Sequence, residues 1–135
     1  MSVTTNAADF ADRLRKIAER AEERAVDGVK LVALTTLSEV ADGTPVDTGR
    51  AQGNWHLTVN LESFEMLGIG GGAASEASLG ALQSGDKVFV QNNLPYIRRL
   101  NFGHSKKLPA GFVERAIRAG QQVARQIKLV DGGGA

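Results

Sequence analysis

At 135 residues with no cysteine, the chain excludes a disulfide framework and a thiolate metal site, and its length sets the expectation of one domain, 1–135. No apolar run approaches the roughly 20 residues that span a membrane, and the opening residues Met1 to Thr5 lack the basic-then-apolar order of a signal peptide. Charge nearly balances at +1 but is unevenly placed: residues 1–41 hold 6 Lys/Arg against 7 Asp/Glu, residues 42–94 hold 2 against 6, and residues 95–135 hold 8 against 2. An acidic middle beside a basic end suits head-to-tail contact between copies, and equally contact with nucleic acid.

Apolar residues recur from Phe10 through Leu14, Ile17, Ala21, Ala25, Val29, Val32 and Leu37 to Val40, in the steps of an amphipathic helix. Thr5 or Asn6 is the expected cap, with Asp9 near the positive end. Unbroken to Ala41, the helix is about 50 Å long. Gly28 is a soft point where a bend or a split is expected. The first half is narrow-striped and densely charged, so it is expected to project or to meet a neighbouring subunit. The second half is apolar over much of its circumference and is expected to pack on a sheet. The plainer alternative is two ordinary helices with solvated charges.

Asp42-Gly43-Thr44-Pro45 ends the helix. In the turn that follows, Pro45 to Arg50, Asp47 is expected to accept from the next backbone N–H groups and Gly49 to take positive φ. A capped turn accounts for Asp47 better than catalysis does. Gly53 to Leu61 alternates, with Trp55, Leu57, Val59 and Leu61 on a buried face and Asn54, His56, Thr58 and Asn60 opposite. Trp55 is expected in the core. Residues 62–86 read as a flexible, Gly-rich insertion, with strand-like Phe64 and Met66 and a short helix over Ala77, Leu79 and Leu82. Gly68 to Ala73 has the outline of a dinucleotide fingerprint. It lacks the βαβ setting, and no Lys-Ser/Thr follows, so no nucleotide or other cofactor is assigned.

Val88, Phe89 and Val90 form a second strand, antiparallel to the first. Asn92 and Asn93 close it. Pro95 suits the first turn of a short helix, and Tyr96, Ile97 and Leu100 share one side of it. Gly103 sits where a helix C-terminal glycine belongs, and Pro109 opens the last helix, to about Lys128. That helix is expected to turn Phe112, Val113, Ala116, Ile117, Val123, Ala124 and Ile127 inward, and Arg115, Arg118, Arg125 and Lys128 outward. Residues 129–135 are a loose tail.

The catalytic inventory is thin. Ser105 neighbours His104, but residues adjacent in sequence seldom place nucleophile and base correctly, and no Gly-x-Ser-x-Gly elbow is present. His56 and His104 lack the spacing of a zinc site on one helix. No catalytic, metal or cofactor residue is assigned, and the chain is read as a non-enzyme. His104 joins Tyr96, Arg98, Arg99, Lys106 and Lys107 as an expected interface. The same cations, with Tyr96 and Phe102, are also the arrangement that contacts phosphates and stacks on bases, so nucleic-acid binding is the alternative.

Asn92-Asn93-Leu94-Pro95-Tyr96, Leu100, Gly103-His104-Ser105 and Pro109-Ala110-Gly111-Phe112-Val113 resemble the signature of the tail-completion, or neck, proteins of tailed phages, related to the minor tail protein Z group. Pro45 to Arg50 followed by Asn54-Trp55 resembles that family's first turn and strand, in the expected order. With the long helix, the likeness covers most of the chain. Asn101 departs from it, since the family usually carries an acid there. The resemblance implies a virion protein at the head–tail junction, assembled in the host cytoplasm. There it would form a ring, with a hexamer favoured, against the tail tube or tail terminator and the head–tail connector, with passing contact with packaged DNA. Residues and resemblance together give an α+β fold: a long N-terminal helix and a C-terminal helix packed on a small, mostly antiparallel sheet.

Overall fold

The computed structural model describes residues 3–46, 48–103 and 110–129. Asp47, residues 104–109 (which include His104, Ser105, Lys106, Lys107 and Pro109) and the tail from Val130 onward lie outside the described residues.

The fold is α+β. A first helix, α1 (Val3–Gly43), leads to a one-turn helix, α2 (Arg50–Gly53), and then to strand β1 (His56–Val59). A 3-10 helix (Ala73–Ala81) precedes strand β2 (Val88–Gln91). The short α3 (Ile97–Asn101) and then α4 (Phe112–Gln126) complete the order. The two strands pair antiparallel, with His56 opposite Gln91 and Val59 opposite Val88. One core gathers Leu37 and Val40 of α1, Trp55 and Leu57 of the first strand region, Leu79 of the 3-10 helix, Leu94, Ile97, and Phe112 and Ala116 of α4.

α1 runs unbroken through Gly28, so the helix does not split there. It begins at Val3, ahead of the Thr5 or Asn6 cap. Its 41 residues make about 60 Å of helix. α4 lies antiparallel along its second half: Phe112 meets Gly43, Gly120 meets Thr36 and Val32, and Ile127 meets Gly28. The glycines permit this closeness. A Cβ on Gly43 would sit 2.7 Å from Phe112 Cβ, and one on Gly120 would overlap Thr36 Oγ1. The buried face of α4 is therefore Phe112, Ala116 and Gly120. Ile117 and Ala124, expected inward, are exposed, because the approach is centred on a glycine and a narrower stripe suffices. α4 gives out at Gln126, so residues 6–20 of α1 stand clear of the body as an arm, as the narrow charged stripe predicts.

The first strand is shorter than its alternation suggests. Asn60 adopts φ 67°, its side chain binds Asp86 and the Lys87 N–H, and the chain turns there. Leu61, expected beside Val59, is 78% exposed. Asn54 and His56, expected outside, are buried, because the 3-10 helix and the segment before it cover the other face. Ser75 Oγ accepts the Leu57 N–H at 2.8 Å, and the Gly72 N–H donates to Gly53 O at 2.7 Å. A Cβ on Gly72 would overlap the Trp55 carbonyl. Within residues 62–86, expected from composition to be a flexible insertion, these hydrogen bonds tie Gly72 and Ser75 to β1, and Leu79 and Leu82 lie in the interior.

Candidate interface surfaces

The two segments that carry the resemblance fold against each other. Thr44 is fully buried; its hydroxyl donates to Val40 O at 2.6 Å and accepts Trp55 Nε1–H at 2.8 Å. That relay fixes Trp55 in the core and ties the end of α1 to the start of β1. Pro45 is buried beside it. Gly49 takes φ 82°, the left-handed conformation expected of it, and α2 starts at the next residue. Asn54 is also fully buried and satisfied: its amide donates to Arg50 O and Leu67 O, and its carbonyl accepts the Leu67 N–H at 2.6 Å. Asn92 reaches across to donate to Ala51 O at 2.8 Å and accepts the Leu94 N–H, which joins the second motif to the first.

Beyond Asn92, Pro95 lies in the turn Leu94–Ile97, just ahead of α3 rather than in its first turn. Ile97 is buried, and Tyr96 and Leu100 pack against the core. The expected side is correct, and Tyr96 is half-buried, with part of the residue against the core. Arg98 and Arg99 face solvent. Phe102, at the helix C-cap, is 71% exposed beside them, and Gly103 closes the helix at φ 96°. The described tip of the basic end is therefore Arg98, Arg99 and Phe102.

Asn101, where the resemblance implies an acid, is buried between α3 and α4. Its carbonyl accepts the Gly111 N–H at 2.8 Å, its side-chain oxygen accepts the Val113 N–H at 3.0 Å, and its amide donates to both carboxylate oxygens of Glu114 at 3.0 Å. Gly111, at φ 82°, offers no side-chain cap, so Asn101 supplies one from a distance. Glu114's own N–H, then Asn101, then Arg118 and Arg115 hold its carboxyl below the ordinary range. An acid at 101 would set two carboxylates together and lose the amide donor.

Two further surfaces are exposed, the arm, which the sequence led one to expect, and the segment after β1, which it did not. On the arm, Phe10, Leu14 and Ile17 are 57%, 51% and 44% exposed. On the segment after β1, Leu61, Phe64, Met66 and Ile69 are all exposed, Phe64 to 87%. No third strand forms there among the described residues. Instead, Gln91 and Asn93 side chains bind the backbone of Ser63 and Glu65, which holds the segment beside β2 and turns its apolar side chains outward. The arm's period and its projection were both legible; where it leaves the body is set by the end of α4 at Gln126. A groove of about 560 Å³ between the middle of α1 and residues 82–84 carries Glu19, Glu22, Glu23 and Asp27. His56 donates from Nδ1 to Asn54 O at 2.8 Å, and its Nε2 is buried without a partner among the described residues. No helix among the described residues is long and apolar enough to cross a membrane.

No family model matches the chain, and no curated protein or solved structure does either.

Proposed function

We propose that this chain is a structural, non-enzymatic virion protein of the phage neck, a ring subunit that completes the top of the tail and joins it to the head. The observation that carries the reading is the amount of large apolar surface left exposed on two separate parts of a small chain, the arm and the segment 61–69. Monomers rarely expose contiguous apolar patches of this kind, and assembly subunits do. The meeting of the two resembling segments through Asn92 and Ala51 supports it, since it makes them one structural unit.

The basic tip is then a joining surface. Arg98 and Arg99 project from a short helix anchored by Ile97 and Leu100, a rigid mount for contact with an acidic neighbour. Tyr96 is left out of the contact because it packs on the core. Arg98→Glu combined with Arg99→Glu is expected to leave circular dichroism unchanged and to abolish complementation of a phage lacking the gene, with unjoined heads and tails accumulating. Full complementation by the folded double variant would rule out this surface.

The exposed Phe102 beside Arg98 and Arg99 favours one second reading, nucleic-acid binding through the same tip. It requires an affinity for single-stranded DNA that falls steeply as salt rises. Salt-tolerant association between protein chains speaks for the structural reading instead.

A further inference from the structure

We infer that the arm of one copy docks on the segment 61–69 of the next, so that copies join head to tail through two different surfaces. The inference rests on the assembly reading above and names the contact that builds the assembly.

Phe10, Leu14, Ile17 and Ala21 are spaced four, three and four apart, which aligns them as one seam along the arm. Arg13 and Arg20 flank that seam on one side, and Ala11 and Ala18 on the other. Asp12 takes Lys16 at 3.2 Å and Arg15 at 3.5 Å, whereas Arg13 and Arg20 have no ion-pair partner among the described residues. The arm is thus an apolar seam with a spare basic edge. The segment after β1 is its complement: exposed Leu61, Phe64 and Met66 alternate with the exposed acids Glu62 and Glu65. Apolar side chains meet apolar side chains, and Arg13 and Arg20 meet Glu62 and Glu65.

Within one chain neither surface covers the other: Phe10, Leu14 and Ile17 of the arm and Leu61, Phe64 and Met66 of the segment are all exposed. The far end of the segment is remote from the arm, since Leu67 is pinned to Asn54, Ile69 lies against Gly49, and Ile17 precedes Gly43 by 26 helical residues, about 39 Å at about 1.5 Å per residue. The occupant is therefore another copy. Self-pairing of two arms fits less well. Antiparallel, it sets Arg13 and Arg20 of one arm against those of the other; parallel, it leaves Leu61, Phe64 and Met66 uncovered. Arm on segment covers both patches in one contact. Because the surfaces differ, the contact is heterologous and propagates until a ring closes. Within such a ring the basic tip is left for a different neck protein.

The test uses the full chain and two variants. Leu14→Asp with Ile17→Asp disables the arm; Phe64→Asp with Met66→Asp disables the segment. All four residues are exposed, and circular dichroism checks the fold. Native mass spectrometry and sedimentation of the wild type at about 100 μM are expected to show oligomers, and each variant alone should be at least about tenfold weaker in association. Mixed, the two variants should form a one-to-one heterodimer and nothing larger, since each lends the surface the other lacks. A monomeric wild type would overturn the copy-to-copy contact, while the place of the chain in a particle is decided separately by imaging. A segment variant that still assembles like the wild type, or a mixture that forms no heterodimer, would overturn arm-on-segment docking.

Discussion

Single residues decide how the turns are built, and one of the two kinds involved is readable from sequence. Gly49 and Gly103 sit at left-handed positions because a side chain is strained there, so glycine at a helix boundary announces itself. The buried amides do not. Asn54 reads as an outward residue in the strand alternation, nothing in the sequence around Asn101 marks it as buried, and their partners, Leu67 and Glu114, come from segments 13 residues away. Asn101 also allows a pH test. Glu114 is held below its ordinary range, so its contribution to stability is present above the unfolded carboxylate range and is lost as pH falls through the lowered folded value. In Asn101→Asp the second carboxylate faces Glu114 and no amide donates. At neutral pH the variant is expected to melt several degrees lower, and the deficit should shrink in acid, where one carboxyl protonates and donates again. A deficit that does not change with pH would mean that the two side chains are not coupled.

At the scale of elements, periodicity carried most of the fold. The 3.6-residue recurrence predicted α1 and α4, and the β-branched run predicted β2. The contact between the helices was less legible. Gly28 read as weakness in a helix, yet it faces Ile127, and Gly120 was passed over although it is the point where α4 comes closest to Thr36. Composition cannot distinguish a glycine that loosens a chain from one that lets two backbones meet, which is also why residues 62–86 read as flexible. Gly120→Leu would drive a side chain into Thr36, whose hydroxyl already binds Val32 O at 2.8 Å. The expected cost is about 1–3 kcal/mol in urea unfolding, of the size seen for overpacked cores. Ile117→Ala, on the exposed side of the same helix, is the control and should change stability by under about 0.5 kcal/mol. Equal effects at the two positions would mean that α4 does not pack through Gly120.

For the whole molecule, the acidic middle of the sequence surfaces in part as Glu62 and Glu65 among exposed apolar side chains, and its basic end as Arg98 and Arg99. Phe10, Leu14 and Ile17 on the arm and Phe64 and Met66 after β1 are exposed, and the proposed assembly would cover both patches. The proposed place in a particle is tested by a reconstructed image of the intact particle with this chain located by a tag. A closed ring of this chain at the head–tail junction is expected, with six copies on the axis of the tail tube. A particle in which the tag is absent, or lies in the head shell or at the distal end of the tail, would contradict it.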